Sequence, residues 1–196
     1  MKYWESLSLV AGMLGTNKAL LWHGRRVAGL ACVIAGEMGY CGEGLEYIGL
    51  AAFLHDIGKI ELPEAILNKP ASLDELETAA MRKHPQYGYR LLQNVRSGSV
   101  VADIVLQHHE RMDGSGYPCG LQGMDIHPAA RIIAVADVVE AMLTPQVYRP
   151  ALSLGDAVRE IRSNEGLLYD RQAVETCRYL IENKNPVFKT LIKNRS

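Results

Sequence analysis

Apolar positions recur at three- and four-residue spacing along most of the chain, while runs that alternate apolar with polar residues are nearly absent. That period belongs to the helix, with 3.6 residues per turn, and not to the two-residue repeat of a strand. The pattern predicts helices over residues 3–13, 17–38, 43–56, 73–82, 84–95, 98–111, 128–143, 154–163 and 170–183, and hence an all-α protein. Start signals accompany several of them. Ser72 with Glu75 has the spacing of a capping box, and Ser153 with Asp156 is a looser version. Pro63 suits the first turn of a short helix, and Asp170 suits the N-cap of the last predicted helix. The stretch from Ala129 to Leu143 is apolar on nearly every side and should be the most buried helix. Asp137 and Glu140 interrupt it, and a carboxylate in such a place needs a partner or a metal.

Composition narrows the picture. The 196 residues are 48% apolar and 22% charged with a formal net charge of -1, which fits one soluble domain and offers no global attraction to a nucleic acid polymer or an anionic membrane. No apolar run approaches the roughly 18 residues of a spanning helix. Cys32, Cys41, Cys119 and Cys177 form no CxxC pair, so a reducing, cytoplasmic setting is expected. The chain divides into a helical extension at 1–16, a domain at 17–183 and a tail at 184–196 whose Lys189, Lys193 and Arg195 read as a solvated terminus.

The chemistry concentrates at histidine. His55 is followed at once by Asp56 at the end of an apolar run, and His108 by His109 at the end of another. Adjacent residues on a helix project about 100° apart, so the members of a doublet would face different ions, with a carboxylate able to bridge them. A lone His on an apolar helix is most often a satisfied core residue; two doublets are harder to dismiss. With His23, His84 and Asp137 they supply five imidazoles and two carboxylates, enough for two metal centres with positions left open for solvent and substrate. Gly114, Gly116, Gly120 and Gly123 spell neither a phosphate-binding loop nor a dinucleotide fingerprint, although Tyr117 among them could offer a nucleotide a stacking face and a hydroxyl.

The strings HDIGKIELPEAILNKP, HPQYGYRLL, HHERMDGSGYPCGL and ARIIAVADVVEAM, in this order, resemble the HD-GYP class of HD-domain metal-dependent phosphohydrolases from about Asn17 to Ile181. Its naming motifs stand here as His55-Asp56 and Gly116-Tyr117-Pro118. The resemblance implies a single helical HD-domain bundle around a binuclear centre. It places metal ligands at His23, His55, Asp56, His84, His108, His109 and Asp137, with Asp56 bridging two divalent transition metals, iron first and manganese as the alternative. Lys59 falls on the residue that contacts the scissile phosphate, alongside the catalytic Asp56. Gly116, Tyr117, Pro118 and Arg149 fall on the substrate cleft. The implied activity is hydrolysis of cyclic di-GMP to pGpG, extending to GMP. The alternatives are another cyclic dinucleotide such as cyclic GMP-AMP, or a weakly active module that docks a diguanylate cyclase or adaptor through the Gly-Tyr-Pro loop.

Three positions depart from the family pattern. Ala19 stands where members with a third metal carry glutamate, so two metals are expected. Gln146, Val147, Tyr148 and Arg149 replace the usual Arg-Pro-Tyr-Arg, which removes one phosphate-binding arginine. Glu140 takes the place of an aspartate and is not ranked as a ligand.

Overall fold

The side-chain oxygen of Asn17 accepts a hydrogen bond from the Leu20 N–H at 3.1 Å and opens helix α1, Lys18–Glu37. From there the computed structural model describes residues 17–93, 99–145 and 150–186, together with residue 12. The expected helix at 3–13, the tail lysines and Arg195, and residues 146–149, including Gln146 and Arg149, lie outside the described residues.

Among the described residues eight further helices follow: α2 (Gly42–Leu54), α3 (Glu64–Leu67), α4 (Glu75–Met81), α5 (His84–Gln93), α6 (Ser99–Gln107), α7 (Pro128–Leu143), α8 (Leu154–Ser163) and α9 (Arg171–Glu182). Short 3₁₀ turns occupy Ile57–Glu61 and Gly123–Asp125. Among the described residues no strand forms beyond a single bridge between Glu165 and Tyr169, so the all-α expectation holds.

Caps explain where the helices start. Ser153 and Asp156 form a complete reciprocal capping box on α8, and Asp170 accepts from Ala173 N–H at 3.0 Å to open α9. The expected box at Ser72 and Glu75 is displaced. Asp74 is the N-cap of α4, and Glu77 reaches back to its N–H at 2.8 Å. Aspartate caps as well as serine and also has an acid three residues on, so the helix starts one turn fraction later. Pro63 sits at the N-cap of α3, one position before the first turn.

Two predicted helices end early. Apolar periodicity carries 43–56 and 98–111 past their true ends, which are Leu54 and Gln107. Both histidine doublets therefore lie at or beyond a helix terminus. The core gathers Val27, Leu30 and Ile34 of α1, Ile48 and Leu54 of α2, Ile104 and Val105 of α6, and Ile132, Ile133 and Val139 of α7, all nearly inaccessible to solvent. As expected, α7 is the most buried helix, packed against α1, α8 and α9.

Candidate metal centre

Close backbone approach brings the polar residues together. A Cβ on Gly24 of α1 would lie 2.4 Å from the Phe53 carbonyl oxygen, so only glycine lets α1 press against the end of α2 where His55 sits. Gly58, just past Asp56, would place a Cβ 2.0 Å from the His84 carbonyl oxygen. These contacts bring the 3₁₀ turn against α5, while α7 lies across α1 and delivers Asp137 and Glu140 from the core side.

All seven expected ligands converge. Donor atoms of Asp56, His84, His108 and His109 lie within 4.8 Å of one another, as do those of His23, His55 and Asp56. Asp56 belongs to both groups. Asp137 Oδ1 lies 3.2 Å from His23 Nε2 and 3.7 Å from His55 Nε2, beside the second group. The expectation that neighbours in a doublet face different ions fails for its geometry: His55 shares a donor group with Asp56, and His108 shares one with His109. The 100° offset applies inside a helix, and Asp56, His108 and His109 lie past the last helical residue.

The hydrogen bonds on the outer side of the rings decide what the inner side offers. His55 Nδ1 lies 2.7 Å from the Ala52 carbonyl, His84 Nδ1 2.8 Å from Met81, and His108 Nδ1 2.6 Å from Val105. A carbonyl only accepts, so Nδ1 carries the proton and each neutral ring presents an Nε2 lone pair inward. His84 and His108 then aim lone pairs at each other across 3.2 Å. Asp56 Oδ1 is buried without a hydrogen-bond partner, although His84 Nε2 is only 3.2 Å away. Converging lone pairs with no donor between them are the arrangement a cation relieves, so this donor set fits divalent metals.

His23 is held differently. Its Nδ1 lies 2.6 Å from Glu140 Oε2, while Oε1 of the same carboxylate accepts from Arg26 Nε at 2.5 Å and from Thr144 Oγ1 at 2.6 Å. Glu140 is thus buried and fully engaged behind the ligand layer. Its packing conflict was visible in the sequence, but its partners 114 and 117 residues away were not.

The electrostatics separate His23 from the other rings. Burial alone would lower the His23 pKa, but hydrogen bonds and charges from Asp137, Glu140 and Asp56 push it up to about 10. Burial and the neighbouring rings push the His108 imidazole well down, and burial takes His109 to about 3. For Asp56, burial opposes ionisation, yet Lys59, His55 and His84 hold its carboxyl well below the ordinary value. Asp137 is held down against burial by His23, His55 and His109. His108 and His109 are thus neutral beside ionised carboxylates, the states a metal requires, whereas His23 without an ion holds its proton, which an ion at that position displaces.

A cavity of about 650 Å³ opens onto the cluster, lined by His23, Arg26, Asp56, Lys59, His109 and Asp137 among others. Lys59 Nζ donates to Asp56 Oδ2 at 2.6 Å, so the expected phosphate-contacting lysine does face the cluster. Ala19 lines the same cavity and offers no donor. Tyr117 reaches the cluster from the other side, its ring centroid 4.7 Å from that of His109 and the Arg82 guanidinium 5.3 Å from its ring. A Cβ on Gly116 would sit 2.5 Å from the His109 carbonyl oxygen, so the loop runs tight against the doublet. The bond between Tyr117 and Pro118 is cis. Glu110 anchors this loop. It is buried and accepts from Cys119 N–H at 2.7 Å and Leu121 N–H at 3.0 Å. No sequence signal separated it from an exposed glutamate. His127 stands apart as the N-cap of α7.

The profile of the HD domain family matches residues 9–173. The chain belongs to the HD domain family. Within this HD domain, His55-Asp56 and Gly116-Tyr117-Pro118 are the residues of the HD-GYP signature. The chain is 41% identical over 177 residues to the cyclic di-GMP phosphodiesterase response regulator RpfG of Xanthomonas campestris pv. campestris, covering 87% of this chain and 46% of that protein. It is also 41% identical over 140 residues to 3'3'-cGAMP-specific phosphodiesterase 1 of Vibrio cholerae, covering 71% of this chain and 32% of that protein. The chain therefore spans less than half the length of these relatives. Bd1817, an HDG"Y"P protein from Bdellovibrio bacteriovorus, shares the fold with a TM-score of 0.67 at 22% identity, over 83% of this chain and 52% of that one.

Proposed function

We propose that this HD domain is a metal-dependent phosphodiesterase that opens cyclic di-GMP to pGpG. The observation that carries the proposal is the pair of donor groups sharing Asp56 at the floor of a cavity that also holds Lys59. In this reading His23, His55, Asp56 and Asp137 hold one ion and Asp56, His84, His108 and His109 the other. Imidazole-rich sites with carboxylates admit several divalent transition metals, and the HD-GYP resemblance favours iron, with manganese as the alternative. When bound, two such ions supply Lewis-acid polarisation of a phosphodiester and activation of water. The chain's own residues supply the rest. Lys59 places an ammonium beside the cluster, where charge accumulates on the phosphoryl oxygens in the transition state. Tyr117, held by Gly116, Pro118 and the Glu110 anchor, stacks beside His109 at the edge of the cluster, and Arg149, outside the described residues, is the second phosphate contact that the HD-GYP resemblance implies.

A second reading, hydrolysis of cyclic GMP-AMP, is favoured by the similarity to the Vibrio cholerae phosphodiesterase named for that substrate. The Gly-Tyr-Pro loop would serve as the docking edge for a diguanylate cyclase or adaptor. The four free cysteines agree with a reducing cytoplasm, and among the described residues no helix is long and apolar enough to cross a membrane. The test is elemental analysis of anaerobically purified protein together with a hydrolysis panel of cyclic di-GMP, cyclic GMP-AMP and cyclic di-AMP. About two metals per chain and metal-dependent turnover, fastest on cyclic di-GMP, are expected. Binding without turnover above a metal-free control would overturn the enzyme reading and leave the docking module.

A further inference from the structure

The cavity over the metal cluster has a chemically mixed lining. Charged and metal-ligating groups line it at His23, Arg26, Asp56 and Lys59, and apolar side chains at Leu67, Met81 and Trp22. Trp22 is the residue without a structural reason to be there. It is 51% exposed, although it has the largest apolar side chain a helix can bury. Other exposed apolar residues such as Leu76 and Met124 are not among the residues lining this cavity, and scattered single exposures need no explanation. An exposed indole at the mouth of a charged cavity does.

Its position on α1 gives the geometry. Trp22 immediately precedes His23, so the two side chains leave the helix about 100° apart. While His23 turns inward to the donor cluster, the indole stands at the cavity's flank. The Arg25 guanidinium lies 5.0 Å from the ring centroid, one turn along the helix. That contact restrains the ring and covers one side of it. The remaining surface, still half exposed, lines the cavity.

We propose that Trp22 is the stacking platform for a nucleobase of the substrate, holding one base at the cavity's flank while the phosphodiester sits at the metal cluster. The proposal rests on the cyclic dinucleotide reading above and adds to it a specificity-determining residue. A flat indole accepts any base by its π-face, so Trp22 favours nucleotide diesters over diesters without a base and does not choose guanine over adenine. Because the stacked base lies away from the reacting phosphorus, the contact should be nearly the same in ground and transition states. Its loss should therefore appear in KM more than in kcat.

The chain contains two tryptophans, Trp4 and Trp22, so Trp4→Phe leaves Trp22 as the sole indole fluorophore. Stopped-flow mixing of this metal-loaded protein with cyclic di-GMP should quench its emission in the binding phase, before hydrolysis. In steady state, Trp22→Ala should raise KM about 5- to 100-fold, the scale of one lost base–aromatic stack, with kcat changed less than about 3-fold. Trp22→Phe should recover most of the loss, and metal content and melting temperature should match the parent in both variants. If the parent hydrolyses cyclic di-GMP but Trp22→Ala keeps its KM and Trp22 shows no quench, the stacking role is wrong and the phosphodiesterase reading stands. If Trp22→Phe is as impaired as Trp22→Ala, or Trp22→Ala loses metal, the residue is structural and the proposal fails. A parent that hydrolyses no cyclic dinucleotide refutes the phosphodiesterase reading instead, and the quench then decides base binding alone.

Discussion

Glu140→Gln should weaken one metal position and spare the other, because among the described residues only one of them has a ligand backed by a carboxylate. In the native arrangement three donors converge on Glu140: Arg26 Nε and Thr144 Oγ1 on Oε1, and His23 Nδ1 on Oε2. Glutamine keeps the shape but provides one oxygen and one NH₂ group. If the oxygen takes the place of Oε2, the NH₂ faces two donors, one of them a cation. If it takes the place of Oε1, both of those bonds survive and the NH₂ faces His23 Nδ1. The second orientation breaks fewer contacts and should prevail. His23 Nδ1 must then become an acceptor, which moves the ring proton to Nε2 and removes the lone pair that faces Asp56 and Asp137. Loss of an outer-layer partner typically lowers metal affinity about 10- to 100-fold, or about 1.4 to 2.7 kcal/mol. His84 and His108 keep their carbonyl partners at Met81 and Val105, so the other position should be untouched. Chelator competition followed by elemental analysis should show one ion leaving at about 10- to 100-fold lower chelator activity than in the parent, and the second at the parental value. Retention of both ions within about 3-fold of parental affinity would refute the reasoning, as would equal weakening of both.

Asp56→Ala should lose both metals and hydrolysis together, more completely than any single histidine variant, because Asp56 belongs to both donor groups; elemental analysis and turnover on the same sample check it. Lys59→Ala should retain metal while hydrolysis falls about 10- to 1,000-fold at saturating substrate, the scale of one electrostatic transition-state contact. Gly58→Ala should lower the melting temperature by several degrees, since its Cβ would stand 2.0 Å from a backbone oxygen that cannot rotate away, an overpacking cost of about 1–3 kcal/mol or more; an unchanged melt would contradict the close approach.

How much of this could be read from the sequence depends on how local each signal is. The bounds of α7 and α8 follow from residues within four positions of their ends, such as Pro128 and the Ser153–Asp156 box, and the sequence placed both helices correctly. The ends of α2 and α6 were overrun because Ile57 continues the apolar rhythm of the first and His108 is itself buried, so periodicity has nothing to stop it. The resemblance and the doublets single out the seven converging residues, while the 100° offset misplaces the members of each doublet because Asp56, His108 and His109 lie past the last helical residue. The layer behind the ligands was the least legible. Glu140 could be flagged as a misplaced charge, but Arg26 reads as one surface arginine among several, and Glu110 gives no sign that it holds the Gly-Tyr-Pro loop. Their roles exist only in contacts between distant segments.

The early helix ends also serve the site. A helix leaves its last carbonyls without intrahelical partners and carries partial negative charge at that end. Ala52 lies in the last turn of α2, Met81 ends α4, and Val105 lies in the last turn of α6. Each gives its carbonyl to the imidazole three residues on, at His55, His84 and His108. One bond thus satisfies an orphan carbonyl, fixes the ring tautomer and turns the Nε2 lone pair towards the cluster. Three helix C-termini accordingly bring their negative ends to one cavity, adding to the charges of Asp56 and Asp137 a field that favours cations. Had the apolar rhythm of α2 and α6 continued as helix through the doublets, those carbonyls would bond backbone N–H groups and the rings would lose the contacts that orient them. A histidine placed one to three residues past a helix end is therefore the sequence feature to look for here, and it depends on locating that end correctly.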